Sequence, residues 1–114
     1  MSSNISIDEL KNKGADVETG LSRCVGNEAL YLKLINMGLR DTKFEELGAA
    51  IEAGDLDKSF ELCHALKGVI GNLSLTPLYD VISKMTEKLR GREEADYSVM
   101  YSDIIKLRST FLGS

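Results

Sequence analysis

The sequence predicts an all-α domain: an up-down antiparallel four-helix bundle with a short additional N-terminal helix. Three observations carry this expectation. Apolar residues recur with the 3.6-residue period of a helix, as in Leu78, Val81, Ile82, Met85 and Leu89. Glycines and small polar caps punctuate these periodic stretches and leave only short connections, which force consecutive helices to pack antiparallel. Pro77 is the sole proline, tryptophan is absent, and the apolar-polar alternation of half-buried strands is scarce.

Residues 1–15 lack sustained periodicity apart from a turn at Ile7 to Lys11. They are assigned to a partly flexible N-terminal extension, and 16–114 to a single bundle domain. Asp16 caps a short helix through Leu21 and Cys24 that stops at Gly26, and Asn27 offers its side-chain oxygen to the next helix. From Glu28 the apolar set is Leu30, Tyr31, Leu34, Ile35 and Met37. Phe44, Leu47 and Ile51 resume the period after a polar patch at Arg40 to Lys43, which leaves open whether residues 28–53 form one bent helix or two. Gly54 then ends a helix and Asp55 caps the next, whose buried stripe reads Leu56, Phe60, Cys63, Leu66 or Lys67, Ile70 and Leu73. Thr76 followed by Pro77 predicts an N-cap with proline at the first helical position, where its missing N–H costs nothing. Gly91 closes that helix, and a last one carries Tyr97, Met100, Tyr101, Ile104, Leu107 and Phe111.

The chain has 114 residues, 43% of them hydrophobic and 28% charged, a balance that builds one core and a hydrated surface. Its 14 Lys and Arg against 18 Asp and Glu give a net charge of −4, the wrong sign for a module held on nucleic-acid phosphates. Two cysteines, Cys24 and Cys63, do not make a disulfide framework, and one histidine leaves too few soft ligands for structural zinc. The first twenty residues hold no apolar span. The expectation is a monomer in a reducing cytoplasm, with no membrane contact, metal or cofactor.

His64, Lys67, Gly68 and Gly71 fall at i, i+3, i+4 and i+7, on one face of a single helix. Each glycine within a helix costs about 1 kcal/mol relative to alanine, so two of them beyond a histidine point to a demand other than helix formation. Their missing side chains expose the imidazole on a convex surface. A neutral imidazole nitrogen is a nucleophile, and an ammonium one turn away offsets the charge of a phosphoryl group. Taken singly, each feature fits an ordinary solvated helix face; their joint spacing is what points to chemistry.

The stretch Cys63-His64-Ala65-Leu66-Lys67-Gly68-Val69-Ile70-Gly71-Asn72-Leu73 resembles the signature of histidine-containing phosphotransfer (HPt) domains. Asp16 to Cys24, with Gly26-Asn27-Glu28 and Tyr31-Leu32, is similar to the N-terminal part of stand-alone bacterial members, and the resemblance spans about residues 16 to 112. It implies a four-helix bundle in which His64 takes a phosphoryl group from the aspartate of one receiver domain and passes it to another. Lys67 would steady the phosphoryl oxygens, and Gly68 and Gly71 would keep the approach clear. A polar residue of the following helix, Thr86 or Arg90, would complete the site. Ser74 departs from the family by standing where many members carry a second helix-ending glycine, and Ile70 is bulkier than the residue often found there.

Val17 and Leu21 are candidates for an apolar docking rim beside His64, or alternatively for closing the end of the bundle. The run Lys84, Glu87, Lys88, Arg90 and Arg92 is ordinarily a solvated face, and its basic edge also complements an acidic receiver pocket. The competing reading is a helical adaptor in which His64 does no chemistry. Nucleotide-dependent kinase activity is disfavoured, because no glycine-rich phosphate loop precedes a lysine.

Overall fold

The computed structural model of the chain describes residues 6–113. It is helical, with no strand among the described residues. Two short helices come first, α1 (Ile7–Asn12) and α2 (Val17–Arg23), followed by α3 (Glu28–Leu39) and α4 (Lys43–Glu52). The long elements α5 (Leu56–Asn72), α6 (Thr76–Arg90) and α7 (Tyr97–Leu112) complete the chain. α4 packs on α5, α5 on α6, α6 on α7, and α7 returns to α4. α3 also touches α5 and α7, so α3 and α4 share one corner of a four-cornered bundle.

The caps behave as their residue types dictate. Side-chain oxygens of Asp16, Asn27, Asp55 and Asp96 accept from the free N–H groups of Thr19, Leu30, Lys58 and Val99. Gly26 and Gly54 take the left-handed backbone that ends a helix, with φ of 75° and 73°. The segment 28–53 resolves into two helices. The 3.6-residue period fails at Arg40 to Thr42, where Asp41 turns its carboxylate onto the Lys43 N–H at 2.8 Å.

Several boundaries and burials differ from the sequence expectation. Thr76 is the first residue of α6 rather than its cap; Leu75, fully buried, occupies the cap position, and Pro77 shifts one place into the helix. Gly91 has an ordinary negative φ, and Arg92 takes the left-handed conformation instead, at φ 51°. In α3 the buried face is Tyr31, Ile35 and Leu39, leaving Leu30, Leu34 and Met37 exposed. There are two short N-terminal helices where one was expected. Leu10 of α1 and the following Ala15 belong to the core, so the packed unit begins before residue 16; residues 1–5 of the expected extension lie outside the described residues.

Ser74 joins the end of α5 to the start of α6. It sits at φ 60°, a conformation that suits glycine, and its carbonyl accepts from the Asp16 N–H at 2.9 Å. This bond ties the start of α2 to the end of α5. Ser74→Gly is expected to raise stability by about 0.5–1 kcal/mol: the relieved left-handed strain exceeds the added freedom of the unfolded chain. A urea titration should move its midpoint upward at constant slope; a lower midpoint would show that the serine is not strained there.

Glycines also set how closely the helices approach. A Cβ at Gly20 would collide with the ring of Tyr31, which is buried and donates its hydroxyl to Leu73 O at 2.7 Å. Burial pushes the Tyr31 phenol up to about 12, so it remains a donor. No helix among the described residues is long and apolar enough to cross a membrane.

Candidate functional site

α5 carries the site because two of its faces have different tasks. Cys63, Leu66 and Ile70 are completely buried against the neighbouring helices, while His64 and Gly68 are exposed and Lys67 is half-buried. Ile70 therefore affects packing rather than the surface. The helix register places His64, Lys67, Gly68 and Gly71 together along one wall of an open groove of about 640 Å³. The convex presentation expected from the helix alone is thereby corrected, because α2 lies alongside and supplies a second wall. Arg23 from α2 donates to Gly71 O at 2.9 Å, holding that wall against the last turn of α5.

The two glycines have different reasons to be glycine. A Cβ at Gly68 would meet nothing within 4 Å, so the space above it is open. A Cβ at Gly71 would lie 2.9 Å from Tyr79 Cε1, so this glycine makes room for a ring of α6. Gly71 lines the groove, but its lack of a side chain serves helix packing rather than steric access.

The His64 imidazole has no hydrogen bond or ion pair among the described residues, and neither does the Lys67 ammonium. The imidazole stacks on Phe60, with ring centroids 5.8 Å apart and planes inclined by 21°. Phe60 is half-buried and joins the site, which its place in the apolar stripe did not announce; the available signal was its position four residues before the histidine. Arg90 approaches this same ring, its guanidinium carbon 5.1 Å from the centroid, and pairs with Glu87 at 3.3 Å. It thus reaches the neighbourhood of His64 through Phe60.

Three expected site residues lie elsewhere or do other work. Thr86 is fully buried, donates to Ile82 O at 2.7 Å and lies 3.1 Å from Cys63 Sγ, so its hydroxyl is spent inside the bundle and does not reach the groove. Val17 is 4% exposed and belongs to the core; it closes the bundle end instead of forming a docking rim. Leu21 is half-buried and packed against that core. Cys63, beside the histidine in sequence, faces inward. Burial pushes its thiol up to about 11, although the Thr86 hydrogen bond and the Lys67 charge act in the opposite direction.

The site thus presents an exposed imidazole on a cleared helix face with an unpaired ammonium one turn on, and no group of three or more His, Cys, Asp or Glu among the described residues could hold a metal ion. Residues 41–108, more than half of the chain, match the family model described as the Hpt domain, and the chain belongs to that family. No curated protein and no solved structure matches it. Membership gives the protein a phosphotransfer-type role in phosphorelays, as a carrier rather than a kinase, with receiver domains as its interaction partners.

Proposed function

We propose that His64 accepts a phosphoryl group from the aspartyl phosphate of one receiver domain and passes it to the aspartate of a second. The observation that carries this reading is the unpartnered imidazole beside Gly68, above which nothing stands within 4 Å. An imidazole nitrogen attacks phosphorus in line with the aspartyl C–O–P bridge. The N–P bond forms, the P–O bond breaks, and the carboxylate leaves with the electron pair; the second transfer reverses these events on another receiver. Lys67 supplies a positive charge to the equatorial phosphoryl oxygens. Gly68 leaves room for the receiver to approach, and Arg90 adds positive charge beside Phe60. The protein acts as a cytoplasmic monomer without a resident cofactor, and any magnesium is held by the receiver's carboxylates.

Incubation with an acetyl-phosphate-charged receiver tests this directly. Label should pass from the receiver to the chain and then to a second receiver; binding without transfer would contradict the reading and fit an adaptor. Lys67→Ala should slow transfer about tenfold at unchanged helicity, since a half-exposed lysine contributes little to stability but its charge meets developing negative charge. Rapid-quench rates for the folded variant check it, and equal rates would remove Lys67 from the site.

A further inference from the structure

Phe60, the neighbour of His64, has surroundings more specific than core filling requires. Side chains on a helix lean toward its N-terminus, so a histidine covers the residue four places before it. Here that residue is aromatic, and the offset, nearly parallel stack lies within the distance range of favourable ring pairs. The ring that receives the imidazole is itself held. The guanidinium carbons of Arg90 and Arg92 stand 5.1 and 5.5 Å from its centroid, within cation–π range. Arg92 is fixed in turn by the Asp57 carboxylate, with Nε to Oδ1 at 3.0 Å, so a link runs from the first turn of α5 across the end of α6 and back to the ring.

We infer that Phe60 is a positioning residue for His64, holding the imidazole in the orientation that receives the phosphoryl group. The inference rests on the acceptor role proposed above. Stacking covers a face of the imidazole, whereas the lone pair of its unprotonated nitrogen lies in the ring plane, so confinement leaves the reacting edge open. The His64 ring has no hydrogen-bond partner among the described residues to orient it. In-line attack demands one orientation, and releasing the ring among staggered wells would dilute that orientation about three- to tenfold. The basic pair contributes here by fixing the plate on which the imidazole rests.

Because the chain has a single histidine, its imidazole proton signals can be followed without ambiguity in the full-length protein. In Phe60→Leu these signals should lose the upfield ring-current shift. Single-turnover transfer from a charged receiver should fall about three- to tenfold while the receiver Kd stays unchanged. Phe60→Tyr, which keeps the ring, should restore both signals and rate. Phe60→Met, closer in volume, carries the same test should the leucine variant unfold. A folded Leu or Met variant that transfers at the wild-type rate overturns the inference, whether or not its imidazole signals move. A wild-type chain that takes no label overturns the acceptor reading and this one with it, so the two failures are distinguishable.

Discussion

Replacing His64 with glutamine is expected to remove all phosphoryl label from a chain that still folds. The side chain is exposed and makes no hydrogen bond among the described residues, so its loss costs only the stack on Phe60, about 0.5–1.5 kcal/mol. The amide nitrogen of glutamine is delocalised into its carbonyl and is not a nucleophile. Cys63 is the nearest alternative in sequence, but it is completely buried and its thiol is pushed up to about 11. Its nucleophilic thiolate form is therefore disfavoured, and the sulfur does not line the groove. Wild-type label should be acid-labile and base-stable, as a phosphoramidate is, and should be absent from His64→Gln. Label that persists in the folded variant would move the acceptor to another residue.

Substitution of Gly68 should separate stability from transfer. No atom outside the local helix stands within 4 Å of a Cβ built there, so Gly68→Ala should stabilise the protein by up to about 1 kcal/mol through reduced backbone entropy, and Gly68→Gln nearly as much. Transfer should move the other way. The alanine effect should be mild and the glutamine effect tenfold or more, about what misplacing the incoming phosphoryl group costs. Gly71→Ala provides the contrast: its Cβ would sit 2.9 Å from the Tyr79 ring, so overpacking should destabilise it by about 1–3 kcal/mol. Thermal melts alongside transfer rates for the three variants check the pairing. A destabilised Gly68→Ala whose transfer loss merely follows unfolding would remove the access argument.

Those contrasting fates of Gly68 and Gly71 mark where the sequence stops being readable. Spacing places both on the histidine face, but only the neighbouring helix decides that one opens to solvent and the other to Tyr79. Helix starts were legible at Asp16, Asn27 and Asp55, where a side chain caps them locally, because such a bond joins residues three apart and requires no tertiary knowledge. Thr76 misled by one residue because burial of Leu75, a tertiary effect, fixes the entry into α6. Thr86 and Val17 misled for the same reason. A period of 3.6 residues gives a face its width but not its neighbour, and the polar hydroxyl of Thr86 is satisfied inside the bundle by Ile82 O. Phe60 was legible as apolar and not as a support for His64, since one aromatic ring at the edge of a stripe serves both tasks.

The histidine itself offers the most direct test of the account. A ¹⁵N-labelled chain, mixed with an acetyl-phosphate-charged receiver, contains one imidazole, and its two nitrogen resonances report the site of phosphorylation without mutagenesis. Attachment to His64 predicts that these resonances shift in proportion to the phosphorus gained and return when a second, uncharged receiver is added. A chain that gains phosphorus while both imidazole resonances stay in place would contradict the central claim.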